Sequence, residues 1–145
     1  MDWVNKHLQI VPINTFIDPI FPVENAIITH AHADHAKPGH NNVLATKHTI
    51  EIMKIRYGEN CANNFQELSF NSPLNVNGVK VTFFPAGHIL GSAQVLLEYR
   101  KDKINFTGDF KITKDDTCEN FRPVTCDTLV TEATFGLPIF QHPDP

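Results

Sequence analysis

No apolar run in the 145 residues approaches the roughly 20 needed to cross a bilayer, so no membrane-spanning helix is expected. Met1-Asp2-Trp3-Val4-Asn5-Lys6 has no basic segment followed by an apolar one, and no secretory signal peptide is expected from it. Cysteine is scarce. Cys61, Cys118 and Cys126 are odd in number and form no Cys-x-x-Cys pair, which argues against a disulfide framework. They read as reduced thiols and point to a reducing, cytoplasmic compartment. Basic charge is also short: 12 Lys and Arg against 16 Asp and Glu give a formal charge of −4, without the basic excess usual in nucleic-acid-binding domains. Internal repeats and low-complexity tracts are absent. What remains, 41% apolar and 19% charged residues, is the composition of an ordinary globular α/β chain, and 145 residues make one domain at most.

Histidine, by contrast, is concentrated. His30-Ala31-His32-Ala33-Asp34-His35 places three imidazoles and a carboxylate within six positions. The apolar run Ala26-Ile27-Ile28-Thr29 precedes it and reads as a buried strand; Lys37-Pro38-Gly39 follows and reads as a loop. Neutral imidazole and carboxylate suit Zn, Mn or Fe, and no cysteine lies nearby to suggest a purely structural zinc. A loop beyond the carboxyl end of a strand is also where open α/β sheets place their chemistry.

Two further strand ends offer ligands. Val79 to Phe84 is β-rich and runs into Pro85-Ala86-Gly87-His88-Ile89-Leu90-Gly91-Ser92; Lys103 to Thr107 runs into Gly108-Asp109-Phe110. Each puts one metal-ligating residue beside a glycine, where the backbone turns tightly and approaches a ligand closely. Alone, His88 reads as a loop histidine and Asp109 as a turn aspartate. Beside the first cluster, they become candidate ligands.

Together these residues carry a resemblance. His30-x-His32-x-Asp34-His35, then His88, then Asp109 resembles the metallo-β-lactamase pattern. Ala86 to Ser92 resembles a loop of the β-CASP nucleases, Thr107-Gly108-Asp109-Phe110 their next motif, and Thr131-Glu132-Ala133-Thr134-Phe135-Gly136 the acidic motif at which their cap domain begins. Within that group, Ile28 to His40, Pro85 to Val95 and Thr131 to Phe140 are most similar to the bacterial ligase-associated DNA exonucleases. The resemblance spans nearly the whole chain. It implies an α/β fold, the N-terminal part of an αββα sandwich that is mostly β with few helices. It also implies that residues 1–145 are an incomplete domain, without the cap and the C-terminal portion; the polar, Pro-rich stretch Gln141 to Pro145 reads as a linker.

The resemblance further implies two divalent metals, zinc or manganese, about 3.5–4 Å apart. His30, His32 and His88 would hold the first, Asp34 and His35 the second, and Asp109 would bridge them. One more ligand for the second would come from outside this chain. Asp34 would orient the attacking hydroxide, and Glu132 would support the centre from behind. The implied activity is that of a metal-dependent DNA exonuclease in repair, acting on nucleic acid alongside a DNA ligase. An RNA-processing β-CASP ribonuclease shares every motif present, and only Thr131 to Phe140 tilts the reading toward DNA. A metallo-hydrolase of thioesters or lactams shares His30 to His35 but not the His88 loop or Glu132. A non-catalytic scaffold on the same fold would be expected to have lost ligands, and all six are intact.

Elements read from the pattern are strands at Leu8 to Val11 and Thr15 to Ile17, broken by Pro12; at Ala26 to Thr29; at Val43 to Ala45; and at Thr128 to Thr131. A helix is expected over Lys47 to Tyr57, capped by Thr46, burying Ile50, Met53 and Tyr57 and stopped by Gly58. Asn77-Gly78 predicts one hairpin, and Ala93 to Tyr99 with Lys103 to Thr107 a second. His40 and His48 are expected on the surface, His7 and His142 in no specific role, and Trp3 packed on the sheet. The scattered lysines and arginines read as a solvated surface.

Overall fold

A computed structural model describes residues 2–131. Glu132, His142 and the stretches expected as an acidic motif and a linker lie outside the described residues.

Two five-stranded sheets face each other. The first runs in the order β1 (Gln9–Ile10), β2 (Thr15–Ile17), β3 (Asn25–Ile27), β4 (His40–Ala45) and β5 (Ala62–Glu67), parallel throughout except for the β1–β2 pair. The second runs β6 (Leu74–Val76), β7 (Val79–Pro85), β8 (Ala93–Tyr99) and β9 (Asp102–Phe106) as an antiparallel meander, with β10 (Thr128–Val130) added parallel to β9. The helix α1 (Lys47–Tyr57) connects β4 to β5.

The alternation of side chains along each strand builds the core. Ile27, Val79, Val81, Phe83, Val95, Leu97, Ile104 and Phe106 turn inward and fill the space between the sheets, each at most 3% exposed. Removing about 25 cal/mol per Å² of apolar surface from water is what holds the two sheets together. The other face of the first sheet packs Ala26, Ile28, Val43 and Ala45 against Ile50 and Met53 of α1. Thr46 caps that helix as expected, accepting from Thr49 N at 3.4 Å. Trp3 is buried, stacks at 5.3 Å on Tyr99 and donates to Asp102 at 3.2 Å.

Three boundaries depart from expectation. Pro12 turns the end of the first expected strand into a 3₁₀ turn, Val11–Ile13. β4 begins at His40, so His40 is an interior residue, 1% exposed, where a surface position was expected. Its Nδ1 accepts from Val23 N at 3.2 Å. β5 was not expected at all. The polar Ala-Asn-Asn-Phe-Gln-Glu sequence pairs along β4, and Asn63 and Asn64 donate to Asn41 and Asn42 at 2.7 and 2.9 Å.

The parallel order positions the chemistry. β3 and β4 are parallel neighbours, so the chain leaving β3 must travel back across the sheet before β4 begins. Residues 28–39 are that return path, and His30 to His35 lie at its start, beyond the carboxyl end of β3.

Candidate metal centre

Four side chains from three loops meet at this end of the sandwich. One donor atom from each of His30, His32, His88 and Asp109 lies within 4.8 Å of all the others. His88 Nε2 is 3.1 Å from His32 Nδ1, His30 Nε2 is 3.4 Å from Asp109 Oδ2, and His88 Nε2 is 3.8 Å from the same oxygen. Ligand atoms about 2.0–2.1 Å from a tetrahedral zinc stand about 3.3 Å from one another. These three separations are close to the spacing one cation would impose. His35 Nε2 also lies 3.5 Å from Asp109 Oδ2 and 3.5 Å from Asp34, its ring 4.2 Å from that of His30.

Each loop is held by its own sequence. Gly108 has φ +56°, and a Cβ there would stand 2.9 Å from Thr29 Oγ1; glycine alone lets the Asp109 turn rest on Thr29. Ser92 Oγ accepts from the backbone of His88 and Ile89 at 3.1 and 3.2 Å, and this closes the His88 loop. Ala93 N donates to Thr29 O at 2.8 Å, tying the second sheet to the first loop.

Asp18 was not singled out from the sequence, and it orients two of the imidazoles. Its Oδ1 accepts from Thr29 N at 2.8 Å; its Oδ2 accepts from Thr29 Oγ1 at 2.6 Å and faces His35 Nδ1 at 2.9 Å. Those partners engage both oxygens and set Asp18 behind the histidines, although one donor atom each of Asp18, His30 and His35 also lies within 4.8 Å of the others. His35 Nδ1 then carries its proton toward Asp18, and Nε2 presents a lone pair to the cluster. Thr29 Oγ1 spends its proton on Asp18, so it accepts from His30 Nδ1 at 2.9 Å. Among the described residues, His30 Nε2 is left buried with no hydrogen-bond partner. A buried lone pair without a donor is costly unless a cation meets it. The signal that could have revealed Asp18 is the one used for Asp109, a carboxylate directly after a short strand.

The electrostatics agree. Burial, reinforced by the neighbouring His35, pushes the His30 imidazole down to about 3, so it is neutral at physiological pH. Burial and the adjacent His32 lower His88. His35 moves the other way, raised first by its hydrogen bond to Asp18. Three imidazoles and a carboxylate fit a divalent cation of the zinc or manganese class.

Of the residues singled out from the sequence, His30, His32, His88, Asp109 and His35 are brought together. Asp34 stands at the rim, its side chain 78% exposed. His48 is half exposed, as expected, and His40 lies in the interior. A cleft of about 340 Å³ runs beside His35 and Asp109, walled by Leu8, Ile17, Ile20, Phe106 and Val130. A larger groove of about 640 Å³ opens elsewhere between the sheets, but Asn25, Asn42 and Asn64 line it and, among the described residues, no titratable side chain does.

The chain is similar to several known proteins. The chain is 30% identical over 137 residues to a protein of Opitutus terrae named "Probable DNA ligase", a match covering 94% of this chain and 13% of that protein. It is 37% identical over 75 residues to "Endoribonuclease ysh1" of Aspergillus fumigatus, covering 50% of this chain and 9% of the relative. It is 35% identical over 78 residues to "Cleavage and polyadenylation specificity factor subunit 3" of Dictyostelium discoideum, covering 52% and 10%. The chain therefore spans about a tenth of the length of these curated relatives. A crystal structure of a protein of unknown function from Enterococcus faecalis V583 shares the fold, with TM-score 0.51 and 19% identity over 65% of this chain and 26% of that one. Residues 2–138 match the model of the β-lactamase superfamily domain, and the chain belongs to that superfamily.

Proposed function

We propose that this chain supplies most of the metal centre of a metal-dependent phosphodiesterase, a nuclease that degrades DNA from its ends in repair alongside a DNA ligase. The observation that carries the reading is the meeting of His30, His32, His88 and Asp109 with donor atoms within 4.8 Å of one another, and with His35 Nε2 3.5 Å from the same Asp109 oxygen. His30, His32 and His88 hold one divalent ion, Asp34 and His35 contribute to a second, and Asp109 stands between them. Residues 1–145 form the N-terminal portion of the catalytic domain, the cap and C-terminal portion belonging to a longer polypeptide. The small fraction of the relatives that this chain covers supports that view.

Divalent ions held there would polarise a phosphoryl oxygen and bring the pKa of a water toward neutrality. The chain's own residues do the rest. Asp18 and Thr29 fix which imidazole nitrogens face the centre. Asp34, exposed beside His35 Nε2, would orient the attacking hydroxide. Glu132, outside the described residues, supports the centre from behind.

DNA is favoured because the relative named as a DNA ligase matches 94% of this chain, whereas those named as endoribonucleases match about half. The higher identity within that half, 37%, supports the second reading, an RNA endonuclease. The test uses the native polypeptide carrying this sequence, at the length the cell makes it, on end-labelled single- and double-stranded DNA and RNA with Zn or Mn. Shortening of DNA from its ends is expected. Internal RNA cleavage would move the assignment to the second reading, and a metal-loaded protein that cuts neither would contradict both.

A further inference from the structure

The helix α1 contributes no donor to the cluster, yet it touches two of the loops that do. Near its start, Thr46 Oγ1 donates to Gly91 O at 2.7 Å, and Thr49 Oγ1 reaches the same carbonyl at 3.4 Å. The fit is tight: a Cβ on Gly91, at φ +82°, would stand 2.8 Å from Thr46 Oγ1. Gly91 closes the loop that carries His88. Seven residues beyond Thr49, two turns along the same face, Arg56 Nη1 donates to the carbonyl of Ala31. Ala31 lies between His30 and His32. One helix face therefore grips both the His88 loop and the His30–His35 loop, and across that gap His32 Nδ1 and His88 Nε2 are 3.1 Å apart.

Arg56 is the unusual member of this grip. A guanidinium normally seeks an anion. Among the described residues no carboxylate is paired with Arg56; it lies over the Tyr57 ring at 5.7 Å and gives its proton to a neutral backbone carbonyl. A charged donor makes a hydrogen bond of about twice the ordinary strength, and this one acts on the peptide group between two ligand residues. Rotation of that peptide would swing His32 Nδ1 away from His88.

We propose that Arg56 is a positioning residue of the metal centre: by holding the Ala31 carbonyl against α1, it fixes the direction from which His32 Nδ1 enters the ligand set. The proposal rests on the reading of the cluster as a metal site. Partners behind ligands typically change metal affinity about 10–100-fold. Arg56 acts through the backbone and is partly solvated, so the lower end applies.

The experiment is a cobalt and zinc titration of the native polypeptide carrying this sequence and its variants, followed by competition with a chelating dye and by the visible ligand-field bands of bound cobalt. Melting of the metal-free proteins is recorded in parallel. Arg56→Ala is expected to bind about 10-fold more weakly. Its cobalt bands should be shifted or weakened and its metal-free melting close to that of the parent. Arg56→Lys keeps one charged donor and should recover part of the affinity and the spectrum. His32→Ala serves as the variant lacking a ligand. A parent that binds while Arg56→Ala matches it in affinity and spectrum would overturn the proposal and leave the metal reading standing. Loss of affinity that tracks a large fall in metal-free melting, with no recovery in Arg56→Lys, would also overturn it, as a structural role. A parent that binds neither cobalt nor zinc would overturn the metal reading and this proposal with it.

Discussion

The two sides of the cluster are built differently. On one side, His30 is fully buried and His88 a quarter exposed, each ring is fixed by a loop, and the donors stand 3.1–3.8 Å apart. On the other, His35 is held firmly by Asp18, but its neighbour Asp34 is 78% exposed, and Asp109 is shared with the first side. The first side is a finished ligand set within this chain; the second is two donors and a shared oxygen at a rim. Desolvation separates them as well. Burial keeps His30 neutral and ready to bind, whereas Asp18 raises His35, so a cation there competes with a proton.

The largest expected effect comes from the residue common to both sides. Asp109→Asn replaces a shared carboxylate with a neutral amide that bridges cations poorly. It should weaken binding of both ions by well over the roughly 100-fold that loss of an outer partner costs. Metal content equal to that of the parent, measured on dialysed protein by mass spectrometry of the metal, would break the bridging role. Next, the 145-residue chain should bind one zinc tightly and a second at least about 10-fold more weakly by calorimetric titration, and should show little nuclease activity. Phosphoryl displacement of this kind uses both ions, and positioning of the substrate is worth several kcal/mol more. Two equal sites would erase the contrast between the sides. Asp18→Asn should then sharpen it. The variant loses the charge that orients His35, and the second site should weaken about 10-fold while the first changes less.

The smallest effects are expected at His40, which lies outside the cluster. His40→Ala leaves Val23 N without its acceptor and should lower stability by about 1–3 kcal/mol in urea titration, with zinc affinity unchanged. Burial lowers the His40 pKa below its ordinary 6.5. The unfolded chain therefore takes up a proton near pH 6.5 that the folded chain refuses, and the stability tied to this residue falls as pH drops below that value. His40→Gln should lose that part of the acid slope; a slope equal to the parent's would assign it to other groups.

The second sheet was the more legible half of the fold. Asn77-Gly78 and the inward alternation of Val79, Val81 and Phe83 spell a hairpin, and β6 to β9 follow closely. The parallel sheet was harder to read because its neighbours are far apart in sequence. β5 has no apolar alternation; it is a strand because β4 offers it a ladder and asparagines pair across the two. The same context put His40 into the interior. In the site, the His30–His35 motif announces itself through dense spacing. Asp18 was missed because it sits alone after a three-residue strand, and only folding brings it beside Thr29 and His35. Arg56 is invisible for a similar reason: its partner is a carbonyl 25 positions away.

That larger groove between the sheets shows what a polar row without a function looks like. Asn64 donates to Asn42, Asn42 to Asn25, and Asn25 to the backbone of Asn14, so the row satisfies itself. The histidine cluster does not: His30 Nε2 is left with a lone pair and no donor. Anomalous diffraction at the zinc edge, on crystals of this chain grown with zinc, tests that difference most directly. The account predicts a peak at about 2.0–2.2 Å from His30 Nε2, His32 Nδ1, His88 Nε2 and Asp109 Oδ2 together. No peak at saturating zinc, or one held only by surface residues away from His30, would contradict it.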